Sequence, residues 1–412
     1  MKAAKEMKLS KLAAFGIWVI LLVVGTIGVF ERFVSGHELA NYGSYVPWGL
    51  WVAAYIYFMG LSAGTFLLAC AIYGFGIKRF EPIAGLALVT AGVSLVLGLL
   101  SVTFDLGHPL RSFEVFLRPN FHSMMTWMIW LYTAYAVLLL VMMRFAFRSD
   151  FAGARELGGL RGRLARILLG DQGSSKDQDQ RILRKLAFLG LPLATAFSGG
   201  VGALFATVAA QQLWHTGLFP ILFLIGALAS GGALLAGLVA FTWHPRDEQW
   251  SQLTESIARV LLVLVLAYAV LEWAEYSIPL WYSAGPEADN VTSLLFGEHW
   301  YVFWVIHVLI GTAIPVALLS LRPHTPRAVG IAGVLVATSF FAVRLNMVIP
   351  SLVTPQLQGL EQSYRDRRLS FDYLPSLFEW RVLTFVLALG VALLYLGYRY
   401  LPIGTSTKEV SR

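Results

Sequence analysis

Residues 83–104 read IAGLALVTAGVSLVLGLLSVTF, and charge resumes only at Asp105. An uncharged apolar run of this length crosses a hydrocarbon layer of about 30 Å as a helix of roughly 20 residues. Lipid offers no hydrogen-bond partner to an open backbone, so a helix is the form expected. Working outward, comparable segments recur at 13–30, 48–77, 123–147, 185–209, 214–241, 254–281, 296–321, 327–350 and 377–401. Together they make ten predicted spans in 412 residues. Composition agrees: 57% of residues are hydrophobic and 13% charged, against about 25% charged in soluble chains. An ordinary cytosolic enzyme is excluded, and so is a disordered chain, which is rich in charge and poor in aromatics. The predicted class is an all-α polytopic membrane protein.

An internal repeat supports a finer division. Gly64-x-x-Leu67-Leu68-Ala69 recurs at an offset of 167 residues as Gly231-x-x-Leu234-Leu235-Ala236, and the same offset sets Asp105 on Glu272. We read 1–412 as a single membrane domain: a first helix at 13–30, four-helix bundles at 48–209 and 214–350, and a last helix at 377–401. Lys2, Lys5, Lys8 and Lys11 precede the first span with no small-x-small cleavage site before Glu31-Arg32, which predicts a retained signal-anchor helix.

Lysine and arginine placement predicts orientation. With the N-terminus inside, 22 of the 31 fall on inner segments, 6 on outer loops and 3 within spans. Both termini are expected in the cytoplasm and the chain in the cytoplasmic membrane. The net charge of +7 follows from this bias; anionic lipid headgroups suffice as its partner and no nucleic acid is required. The inner loop 148–184 contains GLRGRLARILLG, which suits a short interfacial basic helix, followed by DQGSSKDQDQ, read as polar linker. The outer loop 351–376 contains SYRDRRLSFDYLP, which suits a docking surface or a plain solvated loop.

With topology assigned, the scarce titratable groups gather in the outer half. Asp105 and His108 end the third span, His122 precedes the fourth, and Glu272 and Glu275 lie late in the seventh. His307 lies early in the eighth span, and Arg344 and Asn346 late in the ninth. Ionisable groups at membrane depth cost several kcal/mol unless paired or wet. The cluster therefore predicts a ligand or proton site; ion pairs such as Arg344 with a glutamate of the seventh span are the structural alternative. A single Cys70 cannot hold an iron–sulfur cluster, and only His307 is clearly inside a span, so paired haem ligands and a metal site are not expected. The competing class is a secondary transporter or ion-translocating subunit, for which Gly199-Gly200-x-Gly202 and Gly231-Gly232 would be helix breaks.

Several motifs resemble a known family. Pro47-Trp48-Gly49-Leu50-Trp51 with Gly60-Leu61-Ser62-Ala63-Gly64, then Asp105-Leu106-Gly107-His108-Pro109-Leu110-Arg111 and Arg118-Pro119-Asn120-Phe121-His122-Ser123, resemble the NrfD/PsrC-type (polysulfide reductase-like) integral membrane subunits. Arg344-Leu345-Asn346-Met347-Val348-Ile349-Pro350 resembles the longer ten-helix branch found in menaquinone reductase and alternative complex III. The resemblance implies a quinone-interacting anchor of a respiratory complex, with two four-helix bundles. It implies quinone as cofactor, menaquinone being the expected type, and no haem or iron–sulfur cluster in this chain. The implied partners are an outer-face iron–sulfur subunit and a molybdopterin-type or multihaem cytochrome subunit.

On this reading the quinone head lies among the second to fifth spans, between Tyr55, Asp105 and His122. Asp105 or His108 relays protons from the outer solvent, and Arg111 orients the carboxylate. Trp51, Gly60 and Trp127 complete the binding set, with the tryptophans either on the ring or in an interfacial belt. Glu272, Glu275, His307, Arg344 and Asn346 form a second polar set, read as a vestigial site, an ion-pair clamp or a proton path.

Overall fold

The computed structural model describes residues 2–148, 175–282, 285–357, 359–363, 366, 368–401 and 403. Among the described residues, ten helices are long and apolar enough to cross a membrane. In chain order they are α1 (Lys2–Ser35), α2 (Leu50–Phe75), α3 (Glu81–Asp105), α4 (Met124–Arg148), α5 (Lys176–Ala206), α6 (Phe219–Thr242), α7 (Glu248–Tyr282), α8 (Val302–Leu321), α9 (Pro326–Val353) and α10 (Leu377–Tyr400). Shorter helices at Pro109–Arg111, Glu114–Leu117, Gly285–Phe296 and Leu360–Ser363 lie in the connections.

Local chemistry sets the ends. Gly76 closes α2 in the left-handed conformation at φ 64°, which a residue with a Cβ adopts at a cost. Ser376 and Glu379 open α10 with a reciprocal capping box. Pro82 and Pro326 stand in the first turns of α3 and α9, where no intrahelical N–H is needed. The segment Lys176–Gln180, expected as linker, is instead the start of α5. Asp177 and Asp179 suit the positive end of a helix, and Asp179 is buried against Arg148 at 3.4 Å. The GLRGRLARILLG segment lies outside the described residues.

Helices α2 to α5 pack together, as do α6 to α9, while α1 pairs with α10, which lies against α3. The two groups meet where α6 packs against α2 and α5 and where α9 reaches α2. A Cβ on Gly64 would stand 1.8 Å from the Ala227 carbonyl oxygen, and one on Gly231 would stand 2.7 Å from the Thr65 nitrogen. Small residues thus allow backbone-to-backbone approach, as membrane helices require. The glycines weighed as helix breaks are not breaks: α5 runs through Gly199, Gly200 and Gly202, and α6 through Gly231 and Gly232. Contacts bring the ends of α1, α3, α5, α7 and α9 to one face with the starts of α2, α4, α6, α8 and α10. This is the upper face below.

Candidate functional site

Two groups of buried polar side chains lie toward the upper face. The first is built where α1, α3 and α10 converge around the start of α2. Arg32, in the last turn of α1 and 7% exposed, donates from Nε to the Phe104 carbonyl oxygen and from Nη2 to that of Leu106, each at 2.7 Å. It thereby satisfies carbonyls at the end of α3 that have no helical partner. Nη2 also lies 2.7 Å from His37 Nε2. Arginine has only donors, so Nε2 accepts and His37 is neutral, with Nδ1–H left to donate to the Tyr42 hydroxyl. Burial first, then the Arg32 charge, lowers the His37 pKa from its ordinary value. Burial raises that of Tyr42.

Asp105 sits in this group, within electrostatic reach of Arg32, Tyr42 and Glu379. Its Oδ1 is buried and has no hydrogen-bond partner among the described residues. Trp51 forms the floor: its Nε1 donates to the Glu379 carbonyl oxygen at 3.0 Å, and its ring lies 6.2 Å from His37 and 6.0 Å from Tyr42. Glu379 is fully buried and its carboxylate accepts from the Tyr373 hydroxyl at 2.5 Å, Ser376 N at 2.9 Å and Asn41 N at 3.2 Å.

The second group lies between α6, α7, α8 and α9. His307 Nε2 is 3.1 Å from Glu272 Oε2. Arg344, 1% exposed, has no carboxylate on its guanidinium among the described residues: Nη1 donates to Met347 Sδ at 3.1 Å and the guanidinium carbon lies 4.4 Å from the Phe223 ring centre. This departs from the expected pairing of Arg344 with a glutamate of the seventh span; Glu272 pairs with His307 instead. Glu275 accepts from Thr216 Oγ1 at 3.4 Å. Glu272 Oε1, His307 Nδ1, Tyr268 Oη and Arg344 Nη2 are buried without a hydrogen bond among the described residues. Each such atom costs roughly 1–3 kcal/mol, so packing alone does not account for their concentration here. His307 is presented by a π-helical stretch, Val302–Ala313, a distortion that is frequent at functional sites.

The structure therefore divides the predicted residues. Asp105 and Trp51 belong to one group, whereas the Tyr55 hydroxyl pairs with that of Tyr132 of α4. The cation beside Asp105 is Arg32 and not Arg111, since Arg111 lies in the exposed Pro109–Arg111 turn. His108 and His122 are exposed at the upper face. Trp127 is half exposed and donates to the Phe121 carbonyl oxygen at 2.9 Å. Gly60 belongs to the second group: a Cβ there would stand 3.6 Å from Arg344 Nη2. Glu272, Glu275, His307 and Arg344 gather as one group, whereas Asn346 faces a cavity of about 540 Å³ shared with Tyr301, Tyr373 and Trp380.

Sequence reasoning missed Arg32, His37, Tyr42, Tyr268 and Tyr373. Arg32 was counted among loop residues because the apolar run ends near position 30, whereas α1 continues to Ser35. The tyrosines carry no depth signal in a chain with 16 of them. Among the described residues, no group of three or more His, Cys, Asp or Glu is placed to hold a metal ion.

Ten membrane-spanning helices with buried titratable groups toward one face define a class of integral membrane protein, and similarity to known chains specifies it. The profile of the family described as Polysulphide reductase, NrfD, matches residues 38–356, and the chain belongs to that family. It is 34% identical over 408 residues to a selenate reductase subunit of Mesobacillus selenatarsenatis, covering 96% of this chain and 95% of the relative. It is 27% identical to the Hdr-like menaquinol oxidoreductase integral membrane subunit of Archaeoglobus fulgidus, over 96% and 95% of the two chains. It is 21% identical to the menaquinone reductase integral membrane subunit of Nitratidesulfovibrio vulgaris, over 97% and 94%.

Proposed function

We propose that this chain is the membrane subunit of a respiratory oxidoreductase and that it exchanges electrons between a partner on the upper face and quinone in the membrane. Full-length similarity to subunits named for selenate reductase, menaquinol oxidoreductase and menaquinone reductase supports the class. The observation that carries the quinone reading is Asp105, a half-buried residue whose Oδ1 is buried and has no hydrogen-bond partner among the described residues. It stands beside Arg32 and close to the upper face.

The residues suit such a substrate. A bound quinone supplies two-electron, two-proton chemistry. Asp105 offers a proton-accepting oxygen beside the fixed charge of Arg32, and Trp51 offers an apolar aromatic wall. Tyr373 lines the neighbouring cavity and donates to Glu379, so the cavity adjoins the Asp105 group. Cavities of a few hundred Å³ with an aromatic lining and few polar groups are typical ligand sites.

The partner is proposed to be an iron–sulfur protein, as the family resemblance implies; this chain's one cysteine, Cys70, is buried and free. A molybdopterin-type or multihaem protein completes the complex. The lysine and arginine bias supports placing the upper face outside and both chain termini in the cytoplasm. With the buried titratable groups near the upper face, proton uptake and release occur there. The test is Asp105→Asn in the assembled complex: quinone turnover is lost while the partners still co-purify. Normal turnover in that variant rejects the assignment.

A further inference from the structure

The second polar group has no part in the reading above. Its members share one face of α7: Tyr268, Glu272 and Glu275 recur at helical spacing, with Tyr276 beside them. His307 meets them from α8 and Arg344 from α9. Glu275 lies about one turn nearer the upper face than Glu272. It accepts from Thr216, in the connection before α6, and faces Glu287 of the helix Gly285–Phe296.

Toward the lower face the polar character ends. Among the described residues, the buried hydroxyls below the group in α6, α7 and α9 are bonded to their own helices: Ser230 to Gly226 O, Ser339 to Val336 O, Thr254 to Trp250 O and Ser256 to Gln252 O. None offers a titratable relay.

We propose that Glu272 and His307 form a proton-binding site in the second bundle, connected to the upper face through Glu275 and closed to the lower face. One proton moves between upper-face water and the Glu272 Oε2–His307 Nε2 pair. Its arrival changes the charge of the pair from −1 to 0, with Arg344 as a fixed cation nearby. The polar atoms that lack protein partners, Glu272 Oε1, His307 Nδ1, Tyr268 Oη and Arg344 Nη2, line a space for the few water molecules that carry the proton; a buried water needs two to four such partners. A permanent ion-pair clamp would need neither these free atoms nor the Glu275 connection. The proposal stands on the geometry of α7 to α9 and not on the quinone reading.

The test is infrared spectroscopy of the complete complex in sealed vesicles of known orientation. A pH step between about 5 and 9, the range that brackets histidine, is applied to one side at a time. The wild type shows carboxylic C=O and imidazole bands that respond to the upper-face step alone. Glu272→Gln and His307→Gln each remove the response. Glu275→Gln keeps it and slows it by at least tenfold. If Glu272→Gln fails to assemble, Glu272→Asp serves instead and shows a displaced carboxylic band. A wild type without a titrating band, a band unchanged in both Glu272 variants and His307→Gln, or a response to the lower-face step overturns the proposal.

Discussion

Arg32 Nε donates to the Phe104 carbonyl oxygen at 2.7 Å, tying the last turn of α1 to the end of α3 one residue before Asp105. The same guanidinium reaches Leu106, so a single side chain fixes the backbone on both sides of the carboxylate. Charge-assisted hydrogen bonds to backbone contribute about 1.5–3 kcal/mol each. Arg32→Met is therefore expected to destabilise the protein by about 3 kcal/mol or more. Arg111→Met, at an exposed turn, stays within about 0.5 kcal/mol of wild type. Thermal unfolding of the two variants in detergent checks the contrast; equal losses would return the role of Asp105's cation to Arg111.

The neutral state of His37 makes this junction sensitive to acid. Its pKa is lowered in the folded protein, so the unfolded chain binds the proton more tightly. The contribution of the Arg32–His37–Tyr42 contacts is complete above the ordinary histidine value of 6.5 and is lost as pH falls below it. Protonation also sets a second positive charge against Arg32. Melting temperatures measured from pH 8 down to pH 5 should fall below about 6.5 in the wild type, and the fall should be shallower in His37→Gln. An identical slope in both would remove His37 from the account.

The α2–α6 crossing yields a packing test. Gly64→Ala places a methyl against the Ala227 backbone, with a 1.8 Å approach that no rotamer relieves. Overpacking of this kind costs typically about 1–3 kcal/mol and occasionally more. Gly232→Ala, whose nearest neighbour is the end of the Leu68 side chain at 3.7 Å, should be near neutral. Comparing the yield of folded protein and the melting temperatures of the two variants distinguishes them.

Much of the architecture was legible because hydropathy over a span reports membrane crossing directly. The predicted segments 83–104 and 377–401 correspond to Glu81–Asp105 and Leu377–Tyr400. Ends set by polar chemistry were harder to read. Lys176–Gln180 is helical, and there Asp179 meets Arg148 across the fold, which local polarity does not reveal. The predicted segment 296–321 divides at Phe296, where one helix ends and the π-helical stretch begins six residues later. The site was legible in composition but not in pairing. Asp105, Glu272, His307 and Arg344 stand out as charges within apolar runs. Sequence order nevertheless placed Arg111 beside Asp105, whereas the fold brings Arg32 from 73 positions away. The Tyr55–Tyr132 pair is likewise set by the facing of α2 and α4, which spacing along one chain does not encode.

The central claim is that Asp105 handles protons for quinone at the upper face. The most direct measurement is quinone turnover by the purified complex carrying Asp105→Asn, with the partner proteins identified in the same preparation. A carboxylate replaced by its isosteric amide keeps the shape of the site and loses the proton-accepting group; general acid–base groups contribute typically about 10²–10⁴-fold. The account predicts a loss of turnover of at least about 10²-fold with all partner proteins retained. Turnover close to wild type in an intact complex would contradict it.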